Sequence, residues 1–138
     1  MNYLCMLFLT LATAASPAMA AESALMGSWQ VLERGVDSAN NPCPFVPDTI
    51  EFFRDGTVSM TNMPQGMKML YKTALSPEEA KAVMAKFPYL KDKDHILLMM
   101  PATQADWANN SIAYDYAVKG RIFTMTLPGW APSTFKRK

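Results

Sequence analysis

The chain has 138 residues, 50% of them hydrophobic, with 13 Lys and Arg set against 12 Asp and Glu. A formal charge of +1 gives no electrostatic reason to expect nucleic acid or an acidic membrane surface as a partner, since either would call for a basic field. The charge is also unevenly placed, because residues 1–20 carry none of it.

Met1-Asn2-Tyr3 leads into an apolar run from Leu4 to Ala15, followed by Ser16-Pro17 and Ala18-Met19-Ala20. Signal peptidase needs small residues at the last and third-last positions before the cut, and Ala18 and Ala20 supply them. The run is shorter than the ~20 apolar residues that a bilayer span requires. Residues 1–20 are therefore expected to be a cleavable secretory signal, cut between Ala20 and Ala21. Residues 21–138 are expected to be a single exported domain, periplasmic or secreted, with no integral membrane segment after cleavage. Cys5 lies too early to become a lipid-bearing first residue. Cys43 is then the single cysteine of the exported part, so the fold must be held by its core. It sits in Asn40-Asn41-Pro42-Cys43-Pro44, a loop composition, and is expected to be buried and inert, as free cysteines tend to be.

The first strand is expected over Ser28–Arg34, with Trp29, Val31 and Glu33 on one face and Gln30 and Leu32 on the other. Residues 35–47, rich in Gly, Asn and Pro, form a loop. Asp48–Arg54 and Thr57–Thr61 read as a hairpin: Ile50 and Phe52 alternate with polar residues, and Asp55-Gly56 suits a type I′ turn. Pro64-Gln65-Gly66 marks a further turn, and Met67–Thr73 a fourth strand. A helix is expected from Pro77 to about Phe87, since Ser76-Pro77-Glu78-Glu79 supplies a capping box with proline at the first position. Its face Ala80, Val83, Met84 and Phe87 would pack on the sheet and could cover a mouth of the barrel. His95–Met100 is a short strand, and residues 101–110 form a loop containing Trp107. Ser111–Val118 and Arg121–Leu127 make a second hairpin around Lys119-Gly120. On it, Ile112, Tyr114, Tyr116 and Val118 share one face, and Phe123, Met125 and Leu127 another. Lys136-Arg137-Lys138 reads as a solvated tail. About seven short strands and one inserted helix describe a mainly β protein, a small antiparallel up-and-down barrel or curved sheet.

Gly27-Ser28-Trp29 resembles the Gly-x-Trp motif that opens lipocalin-type (calycin) barrels, in which the Trp plugs the closed end. The hairpin Ile50-Glu51-Phe52-Phe53-Arg54-Asp55-Gly56-Thr57 is similar to one found in small exported bacterial lipocalin-like domains. The closing pair of strands, Tyr114 to Phe123, resembles another from the same group. The resemblance implies a barrel that can hold a small apolar ligand. The helix departs from it, falling between the fourth and fifth strands where lipocalins carry theirs after the last.

Three kinds of residue could carry chemistry. Catalysis is poorly supplied: one His, one Cys after the signal, and no Gly-x-Ser-x-Gly, so the chain is read as non-enzymatic and without a cofactor. Methionine crowds into Met60, Met63, Met67 and Met69. Thioethers are soft Cu(I) ligands, but no imidazole or thiolate accompanies them, and Met also fills irregular cores. Aromatics come last: Trp29, Phe52, Tyr114, Tyr116 and Phe123 could line the interior and hold a small apolar ligand, or simply fill it. Three functional readings follow: a lipocalin-like binder of a small apolar molecule; a protein-interaction or inhibitor module acting through loops 35–47 and 101–110; and a periplasmic copper binder.

Overall fold

The computed structural model describes residues 24–64 and 67–138. The expected signal segment, its cleavage site and Cys5, together with the Gln65-Gly66 part of the Pro64 turn, lie outside the described residues. Eight strands form a closed antiparallel barrel in which each strand pairs with its chain neighbours and the last returns to the first. They are β1 (Gly27–Glu33), β2 (Thr49–Phe52), β3 (Thr57–Met60), β4 (Met69–Lys72), β5 (Ile96–Pro101), β6 (Ile112–Lys119), β7 (Ile122–Thr126) and β8 (Ser133–Arg137).

The register puts one apolar set inside. Trp29 lies opposite Ile50, Ile50 opposite Met60, Val58 opposite Met69, Tyr71 opposite Met99, Leu97 opposite Tyr114, Tyr116 opposite Met125, and Phe123 opposite Phe135. Side chains alternate across a strand with a period of two, so the alternation read along each strand is the inner wall of the barrel. β5 breaks that pattern with a continuous apolar run because both of its faces are covered. Leu97 and Met99 point into the barrel cluster, while Ile96 and Leu98 join Val83, Leu90 and Ala113 outside it.

That outer cluster fixes the place of α1 (Pro77–Lys86). The capping box forms as expected, with Glu79 N–H donating to Ser76 Oγ at 3.1 Å and Ser76 N–H to Glu79 Oε1 at 3.0 Å. Val83 is fully buried, and Met84 and Phe87 pack beside it. The face therefore lies on the outer surface of β5 and β6 rather than over a mouth. The physical reason is the apolar outer row of Ile96, Leu98 and Ala113, which would otherwise face water. A one-turn helix, α2 (Trp107–Asn110), stands within the expected loop 101–110, capped by Asp106 Oδ1 accepting from Ala108 N–H at 3.1 Å.

Two further expectations are corrected. Asp55-Gly56 does not make a type I′ turn, since among the described residues the only non-glycine with positive φ is Asn40. Gly56 N–H bonds to Phe53 O at 3.2 Å and Phe53 N–H to Thr57 O at 2.9 Å, with Gly56 at φ +88°. This is a three-residue loop ending in a left-handed glycine. The Asp55 carboxylate accepts from Thr57 N–H (3.0 Å) and Thr57 Oγ (2.6 Å), which holds Asp55 out of the left-handed region. Nor is the basic end of the chain a solvated tail. Ser133–Arg137 is the strand that closes the barrel, pairing with both β7 and β1.

Candidate functional site

The two ends of the barrel are covered by different means, the first of them only in part. At the first end, Trp29 is fully buried and donates its indole N–H to Leu25 O at 2.8 Å. Arg137, opposite Trp29 in the register, lays its guanidinium 4.2 Å above the indole ring. It also donates to Met26 O at 2.6 Å and Ala24 O at 2.7 Å. One inward-facing cation thus ties the segment before β1 to the final strand.

The opposite end is covered by the loop joining β1 to β2. Its Cys43 and Val46 are buried and belong to the barrel's apolar cluster. Identifiable contacts hold the loop to the barrel. Gly35 N–H donates to Ser133 Oγ at 2.8 Å, Cys43 N–H to Gly35 O at 2.8 Å, and Ala131 N–H to Val36 O at 2.8 Å. A Cβ on Gly35 would lie 1.7 Å from Ala131 O, so only glycine permits this approach. Asp37 Oδ1 accepts from the N–H groups of Ala39 and Asn41, both at 2.9 Å, which shapes the tip. Arg34 pairs with Asp48 across the loop's base and donates to Val46 O at 3.2 Å. From this frame one large apolar side chain projects outward among exposed small and polar ones. Phe45, between Pro44 and Val46, is 67% exposed, the most exposed large apolar residue among those described. Its carbonyl accepts from Asn62 Nδ2 at 3.1 Å.

The five aromatics singled out in the sequence meet inside, largely against each other. Trp29, Phe52 and Phe123 are at most 1% exposed, with ring centroids 5.6 Å apart for Trp29–Phe123 and 5.8 Å for Phe52–Phe123. Tyr116 is buried, and Tyr114 is half-buried against the same cluster. Burial pushes the Tyr114 phenol up to about 12, with Tyr89 and Cys43 adding to the shift, so it stays neutral. Two aromatics that sequence reasoning left out complete the group. Tyr71 stands 4.9 Å from Phe52, and Phe135 lies 5.3 Å from Phe123. The alternation around Phe135 was the available signal, masked by Ser133 and Arg137 on the same inward face.

The other candidates separate. Cys43 lies under the loop, whereas His95 precedes β5 and so stands at the Trp29 end; the strand order keeps the thiol and imidazole at opposite ends of the barrel. Among the described residues no group of three His, Cys, Asp or Glu side chains converges on a metal-sized space. Met60 and Met69 pack against the barrel cluster, while Met67 is 47% exposed. At the Trp29 end, Ala24, His95, Tyr116 and Val118 line a cleft of about 100 Å³. No described helix is long and apolar enough to cross a membrane.

The architecture defines the class: a closed, eight-stranded, up-and-down antiparallel barrel, compatible with the calycin type. Comparison with family models, curated proteins and solved structures finds no match to this chain.

Proposed function

We propose that this chain is an exported, non-enzymatic, lipocalin-like barrel that recognises another protein through the loop between β1 and β2, with Phe45 as the anchoring side chain. The observation that carries the reading is a contrast within one loop. Cys43 and Val46 are buried and hold the loop down, while Phe45 stands 67% exposed on the same short stretch. Exposing a phenyl ring on a held backbone suits an interface. Aromatic anchors entering a partner's pocket dominate binding energy, and a loop ordered beforehand loses little entropy on association. The barrel is then a scaffold and the loop its working part.

Retention of a small apolar molecule inside the barrel is the weaker reading. Trp29, Phe52, Phe123 and Phe135 occupy the interior against one another, and a guest would have to part them. Export rests on the Ala18-Met19-Ala20 site and the apolar run before it.

The test compares wild type with Phe45→Ala as bait in the exported fraction of the source organism, alongside native mass spectrometry of the isolated protein. A saturable protein partner that loses at least about tenfold in affinity with Phe45→Ala, at unchanged thermal stability, is expected. Equal binding by the two, or a small molecule retained in the barrel with no protein partner, overturns the proposal.

A further inference from the structure

Closure at the Trp29 end is lopsided. Trp29, Leu25 and Arg137 plug the side of the barrel built from β1, β7 and β8, where Trp29 meets Phe123 and the guanidinium covers the indole. Among the described residues the β5–β6 side has no such plug. There His95, Tyr116 and Val118 all fall on the inward face, since Leu97 pairs with Tyr114 and His95 lies two residues before Leu97. With Ala24 as the fourth wall they bound a cleft of about 100 Å³. The Ala24 wall is fixed in place, because Arg137 holds its carbonyl at 2.7 Å. The His95 and Tyr116 rings touch each other, with centroids 5.7 Å apart and planes inclined at 49°, and together form one aromatic wall of the cleft.

We infer that this cleft is a binding site for a single small aromatic ring bearing one hydroxyl, a ligand of the phenol class. The volume sets an upper limit, for a cleft of about 100 Å³ is smaller than the enclosed cavity of about 150 Å³ that takes one benzene, so a single ring already reaches its open mouth and anything larger would be left in solvent. The walls set the shape, because two inclined rings offer edge-to-face contacts that a flat ring fills better than a saturated one of the same size. His95 sets the polar group. Its imidazole carries a donor and an acceptor on different nitrogens when neutral, so it can serve a hydroxyl in either sense. The site lies at the opposite end of the barrel from Phe45 and is independent of the proposed protein contact.

Titration of the full exported chain with phenol, followed through the His95 ring and Tyr116 backbone resonances by NMR, tests the site. A saturable shift at both, with a dissociation constant of about 1 mM or tighter, is expected. Cyclohexanol should bind at least about threefold more weakly, as the loss of a ring–ring contact implies. His95 is exposed, so His95→Ala should keep the fold and lose the saturable shift at Tyr116. Ala24→Phe should fill the cleft with its own ring and abolish binding without lowering the melting temperature. Shifts that stay linear to the solubility limit, equal binding of phenol and cyclohexanol, or binding that survives both variants would each overturn the inference.

Discussion

Arg137 offers the sharpest test of how the barrel closes. Replacing it by alanine removes a guanidinium placed 4.2 Å over the Trp29 ring, worth about 1 kcal/mol at a partly buried site. It also removes two hydrogen bonds from a charged donor, to Met26 O and Ala24 O at 2.6 and 2.7 Å. Such bonds contribute about 1.5–3 kcal/mol each when buried. Arg137 is only half-buried, so water can take over part of that bonding in the variant, and the combined loss comes down to about 2–4 kcal/mol. Arg137→Lys keeps the charge but not the planar fork that reaches two carbonyls at once, and should recover less than half of the loss. Urea melts of the three proteins, compared at equal m-value, measure this directly. A solvated tail predicts a change within about 0.5 kcal/mol. A loss that small for Arg137→Ala, or full recovery by Lys, would refute the clasp.

Gly35→Ala drives a methyl into the Ala131 carbonyl and should cost about 3 kcal/mol or more, above the usual range for overpacking, read by thermal melts, while loosening the loop that presents Phe45. Trp29→Ala empties the buried end of the barrel and should cost about 3–5 kcal/mol in denaturant melts. Glu79 is held below its ordinary 4.5 by the Lys72 side chain first and by the Ser76 N–H second. A depressed folded-state pKa stabilises the fold above the unfolded value and loses that contribution as pH falls through the folded one. The stability gap between wild type and Glu79→Gln, about 0.5–1 kcal/mol at neutral pH, should therefore shrink progressively below pH 4.5. Met60, Met63, Met67 and Met69 should show no submicromolar Cu(I) affinity in competition with a chelator, since two of the four thioethers serve the barrel cluster.

The strands that the sequence made legible are those whose inner face is apolar and whose outer face is polar, as in β2 with Ile50 and Phe52 or β7 with Phe123 and Met125. Period-two alternation is then visible along the chain. β8 defeated that reasoning because its inward residues are Ser133, Phe135 and Arg137, and two of the three look like surface. Their burial makes sense only once their partners are known: Ser133 accepts from Gly35 N–H, 98 positions away, and Arg137 meets Trp29. The placement of α1 was half legible. Its apolar face could be read from spacing, but whether that face meets a mouth or an outer wall depends on the outward row Ile96, Leu98 and Ala113, which belongs to two other strands. The candidate site divides in the same way. The aromatic set was visible as a composition of strand faces, whereas the hold on the loop behind Phe45 arises from contacts between loop 35–47 and residues 131–133, which no local pattern encodes.

That division bears on where function can reside. An up-and-down barrel of this strand number has an interior just wide enough to be filled by side chains. Each bulky inward residue therefore trades container volume for rigidity. Here the trade has gone toward rigidity, with four large aromatics fully buried in the wall: Trp29, Phe52, Phe123 and Phe135. A rigid wall lowers the entropy that its loops must lose on binding, and it does so most for the loop with the most anchors to it. The β1–β2 loop has both apolar anchors, Cys43 and Val46, and polar ones at Gly35, Val36 and Arg34. On the proposed function, a change that hollows the interior should then weaken recognition at Phe45 even though Phe45 itself does not enter the core. Phe135→Leu, which keeps an apolar inward residue opposite Val31, isolates that coupling. A drop in partner affinity together with faster hydrogen exchange at Gly35 and Cys43 would mark transmission through the wall, and unchanged affinity despite lost stability would show that the loop holds its shape alone.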